Sequence, residues 1–426
     1  MLEKLKSPRL IRLAKEGGWV ILGQLATVIG SLVLIRVITG YLEPTEYGLL
    51  ALGLTVAGLV SQVISGGILS SISRFYSIAA AEDDLTGYLI ASWRLLGYAS
   101  VGVVGVTILL ISGLSILGYS QWISLVAAIM MFSIIGSYNA GFNNLQSAAR
   151  QRALSALHVG LESWLKVLLA FVVILYIGSS SIAIVLGFSL ASLLVIGSQI
   201  FFFRHQFRFY NGQNGKYKNW QLKMWKYSWP IMVGGIFNWA SFASQSWALE
   251  LFTTTDNVGK FYALMQIGYT PISLGGGLIL GFITPILFSN AGNLEHHDRV
   301  QNISQIVFKI SIFGLSLTFV LSAISFFMHD KVFELFVAPK YRDVSIYMPL
   351  VILAAGLLQV SASLASIISV KNKTQLFLPL SLVGNSIIAF LNMYATYRWG
   401  LAGLAFSMVI GHSIHLTWMV VLVLKN

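Results

Sequence analysis

The feature that most constrains the fold is a series of apolar runs, each about 20 residues long, that recurs along all 426 residues. A helix of about 20 residues crosses the ~30 Å hydrocarbon core of a bilayer. Because lipid offers the backbone no hydrogen-bond partner, such runs must form helices rather than open strands. Only 10% of the residues are charged, against roughly 25% in soluble domains. The sequence therefore predicts an all-α integral membrane protein.

The apolar runs predict about twelve transmembrane spans arranged in two halves. Residues 1–16 form a basic segment before the first run, and residues 204–228 form a basic linker after the sixth. We expect an N-terminal six-helix lobe over residues 17–203 and a C-terminal six-helix lobe over residues 229–426. The predicted spans are 17–39, 47–71, 90–113, 122–144, 154–177, 181–203, 229–252, 260–288, 305–328, 345–369, 375–397 and 400–424.

The distribution of positive charge predicts how these spans are oriented. Nineteen of the 27 lysines and arginines fall in loops on the side of the N-terminus, five fall in loops on the other side, and three lie within spans. Cytoplasmic loops of membrane proteins carry the excess of such residues, so both termini are expected in the cytoplasm. The linker, residues 204–228, holds six cations and no acidic residue. Its expected contact is with anionic lipid headgroups, not with nucleic acid.

Several classes of function are excluded or disfavoured by what the chain lacks. The sequence contains no cysteine, which excludes disulfides and thiolate-ligated metal sites. It contains no P-loop, HExxH or GxSxG motif, so ATP hydrolysis and the corresponding hydrolases are not expected. The longest predicted outer loop, residues 328–342, is too short for a catalytic domain. We expect no cofactor, no metal and no enzymatic activity.

The two halves also resemble each other at a spacing of about 210 residues. Trp19 and Trp229 stand at the start of spans one and seven. Gly66 and Gly67 in span two correspond to a second glycine pair at 276–277 in span eight. Because six spans separate equivalent points, the halves have the same orientation in the membrane. They are predicted to be parallel repeats, an architecture in which the substrate lies between two lobes.

At this point the sequence resembles a known family. Residues 36–51, RVITGYLEPTEYGLLA, together with residues 73–75, SRF, resemble the first two helices of polysaccharide flippases. These belong to the multidrug/oligosaccharidyl-lipid/polysaccharide exporter superfamily, which includes multidrug extruders and lipid II flippases. Residues 257–264 and 284–286 are similar to the seventh and eighth helices of the family, and residues 400–405, GLAGLA, to the start of the last helix.

The resemblance implies two six-helix lobes around a central cationic cavity, lined mainly by helices one, two, seven and eight. Members of the family move undecaprenyl-diphosphate-linked oligosaccharides from the cytoplasmic to the outer leaflet of the bacterial cytoplasmic membrane. The product is O-antigen, capsule or exopolysaccharide. The expected partners are this lipid-linked oligosaccharide, membrane lipids and other polysaccharide assembly proteins, and the protein is expected to act as a monomer.

Three cations are candidate ligands of the diphosphate. Arginine suits this role because its planar fork binds phosphate oxygens in pairs and stays charged. Arg36 lies near the outer end of span one, where the alternative is an anchor that snorkels to the outer headgroups. Arg74 lies at the inner end of span two, where a cation at the membrane boundary needs no special function. Lys166 lies within span five.

Span five also carries the candidate coupling residues. His158, Glu162 and Lys166 are spaced four apart and therefore lie on one helix face. Ionisable groups inside a membrane are costly and often functional. In one reading His158 or Glu162 couples transport to protons and Lys166 assists the diphosphate. In the other, Glu162 and Lys166 neutralise each other and fix span five within the first lobe.

Matching polar stripes on spans one and seven are candidate glycan contacts. In both spans the polar residues stand at positions i, i+3 and i+7. Such residues also bond neighbouring helices, but these spans are the ones that the resemblance places around the cavity. The residues proposed for the glycan are Gln24, Ser31, Asn238 and Gln245, and Thr27 and Ser241 complete the two stripes.

Two other functions stay open. A cation-coupled multidrug extruder of the same superfamily is expected to have an acidic residue in its first helix, and residues 17–39 contain none. Glu250 in span seven is the nearest substitute. A membrane-embedded polysaccharide polymerase or transferase is expected to have a large outer loop, which the sequence does not predict.

Overall fold

The structure is a computed structural model that describes residues 8–206, 217–291, 297–371 and 373–425. All regular secondary structure within these ranges is helical. The predicted all-α class is therefore confirmed.

The helices follow the predicted spans, and several are interrupted. Three π-helical turns join neighbouring helices: Val60–Ser65 joins α2 to α3, Met265–Tyr269 joins α9 to α10, and Leu380–Gly384 joins α13 to α14. The first two turns fall in spans two and eight, which the repeat makes equivalent. The helices are α1 Pro8–Tyr41, α2 Pro44–Leu59, α3 Gly66–Ala81, α4 Leu85–Ile116, α5 Ile123–Ala148, α6 Arg152–Ile177, α7 Ser181–Gln206, α8 Tyr217–Phe252, α9 Thr255–Leu264, α10 Thr270–Ala291, α11 His297–Phe336, α12 Met348–Val370, α13 Phe377–Pro379 and α14 Asn385–Lys425.

Many of these helices are long and apolar enough to cross a membrane. In the part of the chain that the structure describes, nine segments pass this test, and the bent pair of α2 and α3 makes a tenth. One of the nine, Phe377–Lys425, has 49 residues and covers two predicted spans. They meet at Gly400, whose φ of +58° is a left-handed conformation that glycine adopts without strain. The chain is therefore a multi-pass membrane protein.

The chain divides into two compact units, each of which includes a segment from the other half of the sequence. The first unit consists of Met1–Leu34 and Leu52–Trp239, and the second of Ile35–Ala51 and Ala240–Asn426. The junction of α1 and α2 thus belongs to the second unit, and the first part of α8 belongs to the first. The lobes drawn from the sequence at 17–203 and 229–426 stay a prediction.

Specific contacts hold the α1–α2 junction in the second unit. Tyr341 Oη donates to the carbonyl of Leu42 at 3.0 Å. The Tyr47 ring packs edge-on against the rings of Tyr262 and Tyr341, at centroid distances of 5.2 and 5.8 Å. A Cβ at Gly259 would collide with the carbonyl oxygen of Pro44. The second unit therefore requires close helix contact at this point.

The first part of α8 is held in the first unit by a buried stripe. Trp220, Met224 and Ser228 are buried and recur every four residues along one face. Trp220 Nε1 donates to Asp84 Oδ2 at 2.9 Å, and Ser228 Oγ donates to the carbonyl of Gly67 at 3.0 Å. The sequence did not predict that the α1–α2 junction packs in the second unit or that the first part of α8 packs in the first. The contacts that hold both segments join residues far apart in the chain, which local sequence patterns do not reveal.

Candidate functional site

A buried polar cluster lies where α5, α6 and α7 pack together in the first unit. α6 contributes the predicted stripe of His158, Glu162 and Lys166. The remaining members come from α5, which presents Asn139, Asn143 and Gln146, and from α7, which presents Ser192, Ser198 and Gln199. We call these nine residues the α6 cluster.

The charged part of the α6 cluster is an ion pair. Lys166 Nζ lies 2.8 Å from Glu162 Oε1, and the two side chains are 25% and 15% exposed. Ser192 Oγ donates to the same carboxylate oxygen at 2.8 Å. The Lys166 ammonium also lies 5.7 and 5.9 Å from the ring centroids of Phe132 and Phe188, within range of a cation–π attraction. Both charges are therefore compensated inside the unit.

An amide network between α5 and α7 lies beside the carboxylate of Glu162. Gln199 Nε2 donates to Asn139 Oδ1 at 2.9 Å and to Asn143 Oδ1 at 3.1 Å. Gln199 is fully buried, and its Oε1 has no partner among the described residues. Unpartnered buried acceptors are rare in proteins. This oxygen is thus free to accept a hydrogen bond from a water molecule or another donor.

His158 is fully buried at the other end of the cluster. Its Nδ1 lies 3.1 Å from Gln146 Oε1, and its Nε2 lies 3.2 Å from Ser198 Oγ. Because an amide oxygen can only accept, Nδ1 donates to Gln146 Oε1. Both ring nitrogens of His158 therefore have a hydrogen-bond partner.

The arrangement has a direct chemical consequence for the predicted roles. Glu162 neutralises Lys166 while the pair is intact, so Lys166 attracts an anion only weakly. Protonation of Glu162 would break the ion pair and leave the ammonium charge uncompensated. The residues from His158 to Lys166 extend over about 12 Å of helix, at 1.5 Å per residue. The cluster can therefore link a protonation event to the exposure of a positive charge.

The two predicted arginines lie elsewhere and have partners of different kinds. Arg36 is exposed, belongs to the second unit, and donates from Nη1 to the carbonyl of Val337 at 2.9 Å, just beyond the end of α11. Arg74 is exposed in the first unit, and its guanidinium lies 5.2 Å from the centroid of the Tyr227 ring. Neither arginine belongs to the α6 cluster.

The predicted glycan contacts are not brought together within one unit. Ser31 Oγ donates to the carbonyl of Val28 in its own helix at 2.7 Å, and Gln24 is half-buried on the same helix. On α8, Asn238 is exposed and belongs to the first unit, whereas Gln245 is 3% exposed and belongs to the second. Their role as glycan contacts stays a prediction.

Sequence reasoning missed the residues that surround the α6 stripe. Asn139 and Asn143 in span four, together with Gln146 just beyond its predicted end, stand at positions i, i+4 and i+7. Ser192 and Gln199 are seven apart in span six. This is the same kind of spacing that drew attention to spans one and seven. The signal was present, but pairing these stripes with span five requires knowledge of which helices pack together.

The second unit contains a buried polar cluster of a different kind. Asn392 is fully buried, donates from Nδ2 to Ser244 Oγ at 2.9 Å, and accepts from Ser407 Oγ at 2.8 Å. Two histidines on the same helix, His412 and His415, bond a carbonyl and a serine of α12. Among the described residues, no group of three or more His, Cys, Asp or Glu side chains could hold a metal ion.

Comparison with known proteins identifies the fold and the family. The chain resembles solved structures of the lipid II flippase MurJ in an inward closed conformation (TM-score 0.69, 12% identity, 97% of this chain and 88% of that one). It also resembles the Vibrio cholerae MATE transporter VcmN in the bent form (0.62, 14%, 97% of each). A third is a multidrug resistance MATE family transporter of the MOP superfamily, facing inward (0.66, 12%, 94% and 95%). At these identities the likeness shows a shared fold.

The family itself is shown by sequence. No protein of curated function matches the chain significantly. A family model described as polysaccharide biosynthesis protein matches residues 13–290, which is more than half of the chain. The chain belongs to this family of polysaccharide biosynthesis proteins and has the all-α transporter fold of the MATE and MurJ structures.

Proposed function

We propose that this protein is a flippase that moves undecaprenyl-diphosphate-linked oligosaccharides across the bacterial cytoplasmic membrane for the synthesis of a surface polysaccharide. The family match and the fold of transporters and a lipid II flippase support this proposal. The observation that carries it is the buried ion pair of Glu162 and Lys166. Ionisable residues within a membrane protein mark substrate and ion pathways, and a diphosphate requires a cation on its path.

The α6 cluster supplies the coupling step in this proposal. A proton taken up by the Glu162 carboxylate converts it to the neutral acid and breaks the ion pair. Lys166 then carries an uncompensated charge that binds the diphosphate. When Lys166 pairs with Glu162 again, the carboxyl group releases its proton. His158 lies one helical turn before Glu162 and hydrogen-bonds Gln146 and Ser198. In this proposal it relays the proton. Alternating access between the two lobes exposes the substrate first to the cytoplasm and then to the outer side.

Arg36 and Arg74 are the proposed diphosphate ligands outside the cluster. Arg36 uses one nitrogen for the Val337 carbonyl, and a guanidinium has five N–H donors, so donors remain for a phosphate. The proposed glycan contacts are Gln24, Ser31, Asn238 and Gln245. The protein acts as a monomer with both termini in the cytoplasm, alongside other polysaccharide assembly proteins.

A deletion strain tests the proposed function directly. Loss of the gene should cause undecaprenyl-diphosphate-linked repeat units to accumulate on the cytoplasmic leaflet and should remove the surface polysaccharide. A plasmid copy of the gene should reverse both effects. A normal level of surface polysaccharide, in a deletion strain without a paralogue, would contradict the proposal.

Arg36 offers a sharp test because the structure provides a matched control. Arg342 Nε also donates to the Val337 carbonyl, at 3.4 Å. If Arg36 binds diphosphate, Arg36→Gln should abolish complementation, whereas Arg342→Gln should not. Equal effects of the two substitutions would reduce Arg36 to a residue that secures the end of α11. Complementation by Arg36→Lys would also favour a simple anchor, because lysine lacks the bidentate fork.

The alternative function, a cation-coupled multidrug extruder, is favoured by one observation. Glu250 Oε1 accepts from Thr255 Oγ1 at 3.0 Å, and its Oε2 is buried without a partner among the described residues. Such a carboxylate could bind a coupling cation. If the protein is an extruder, Glu250→Gln should sensitise cells to cationic drugs and leave surface polysaccharide unchanged. The polymerase alternative has no comparable observation in its favour.

A further inference from the structure

A groove in the second unit opens where α14 folds back on itself at Gly400. The cavity between the two arms of the helix has a volume of about 500 Å³. Almost all of its lining residues are apolar, and three of these residues are aromatic. The lining residues that matter here are Leu391, Tyr394, Trp399, Ala402, Phe406 and Ile410.

The groove exists because small residues bring the two arms together behind it. A Cβ at Gly403 would collide with the carbonyl oxygen of Ala395, so the arms touch along this line. The aromatic residues stand to the side of the contact, with Tyr394, Trp399 and Phe406 exposed to 50%, 62% and 56%. The groove therefore presents aromatic walls that the second unit itself leaves uncovered.

The depth of the groove matches one leaflet of a bilayer. Leu391 precedes Gly400 by nine residues and Ile410 follows it by ten, which places both about 13–15 Å along the helix from the bend. This is about half of the ~30 Å hydrocarbon core. The bend lies at the predicted outer end of spans eleven and twelve, so the groove extends from the outer surface to the middle of the membrane.

A cation, Arg398, lies two residues before the bend at Gly400, near the end of the first arm. Arg398 follows Tyr394 by four residues and is therefore on the same helix face. It is exposed, and it has no hydrogen bond or ion pair within the ranges that the structure covers. Among the residues that the structure describes, no charged residue lines the groove itself, and none lines another cavity of this unit, of about 450 Å³ between α10, α11 and α12. The position of Arg398 beside the bend distinguishes the α14 groove, because it adds a positive charge at the level expected for a lipid headgroup.

We propose that the α14 groove binds one anionic phospholipid of the outer leaflet. The phosphate of the lipid pairs with the Arg398 guanidinium, which binds phosphate oxygens in a planar fork. One acyl chain fills the slot between Tyr394, Trp399 and Phe406. The lipid occupies the space between the arms and steadies the bend at Gly400. This site does not depend on the proposed flippase activity and lies outside the residues assigned to it.

Photolabelling of the full-length protein tests this site. The protein is reconstituted in phosphatidylcholine vesicles that contain phosphatidylglycerol with a diazirine in its acyl chain, and labelled peptides are mapped by mass spectrometry. Labelling should concentrate on residues 391–410, and Arg398→Gln should reduce it at least threefold. Ala402→Trp, which fills the slot, should reduce it similarly. The controls are Lys331→Gln, an exposed cation elsewhere on the predicted outer side, and Val104→Trp on the lipid-exposed face of α4.

Three results would overturn the proposal. The first is equal labelling of residues 391–410 by phosphatidylcholine with the same diazirine chain, because the site would then not recognise the anionic headgroup. The second is unchanged labelling in Arg398→Gln, a substitution at an exposed position that leaves the fold intact. The third is a crosslink between residues 391–410 and another copy of the chain, which would make the groove a protein interface.

Discussion

The two compact units each bury a polar cluster between their helices, but only one of these clusters is charged. In the first unit, the α6 cluster holds the ion pair of Glu162 and Lys166 with its amide and hydroxyl partners. In the second unit, Asn392 is joined to Ser244 and Ser407 through neutral hydrogen bonds. A neutral, satisfied network joins helices, whereas a buried charge pair is costly and can change state. We propose from this difference that the first unit carries the step that depends on a change of charge.

The largest effect is expected at Glu162. Glu162→Gln leaves the mostly buried Lys166 without its counter-charge and should lower the free energy of unfolding by about 3 kcal/mol, the lower end of the range for buried pairs. Translocation should fall at least ~10-fold. Thermal unfolding of the purified protein and a vesicle translocation assay measure the two quantities.

The double variant Glu162→Gln/Lys166→Gln separates structure from function. Because neither charge remains, most of the lost stability should return. Translocation should stay low, since no titrating carboxylate is present. If the double variant regains translocation together with stability, the pair is only a structural link between helices and the distinction between the units disappears.

A substitution in the neutral cluster around Asn392 should lower stability without lowering translocation, which is the opposite of the result expected for the double variant. Asn392→Leu removes the hydrogen bonds that Asn392 makes with Ser244 and Ser407 and should cost about 1–3 kcal/mol of stability. Translocation per folded molecule should remain within about twofold of the wild type, since no titrating group is lost. A stable Asn392→Leu protein that has lost translocation would show that the second unit also carries essential chemistry.

A smaller effect is expected at His158. His158→Gln retains a donor for Gln146 or an acceptor for Ser198, so its cost to stability should be about 1 kcal/mol. Glutamine cannot exchange a proton near neutral pH. Translocation driven by an imposed proton gradient should therefore fall several-fold, while binding of the lipid-linked substrate stays unchanged. Equal flux in both proteins across a series of gradients would remove His158 from the coupling step.

The smallest effect is expected from an ion pair at the surface. Lys340 Nζ lies 2.9 Å from Glu43 Oε1, but the Glu43 side chain is 72% exposed. Such pairs contribute less than about 1 kcal/mol because water and salt screen them. Lys340→Gln should leave the unfolding temperature almost unchanged at high salt. A loss as large as that of Glu162→Gln would show that burial does not set the difference between ion pairs in this protein.

The sequence predicted the helical class, the positions of the spans and the α6 stripe, because apolar length and four-residue spacing are local signals. The sequence could not predict which helices pack together over long distances in the chain. The Arg36 guanidinium bonds a carbonyl 301 positions further along the chain, and nothing near Arg36 indicates that partner. Long-range contacts likewise place Ile35–Ala51 in the second unit and residues 217–239 in the first. Examples are the contact of Tyr341 with Leu42 and that of Trp220 with Asp84.

The most direct measurement of the central claim is translocation of a defined undecaprenyl-diphosphate-linked oligosaccharide in vesicles that contain only this protein. Under an imposed proton gradient, the wild type and Asn392→Leu should make the glycan accessible to an enzyme on the opposite side of the membrane. Glu162→Gln/Lys166→Gln, although folded, should not. Translocation by the charge-free double variant at the wild-type rate, or none by the wild type itself, would contradict the account.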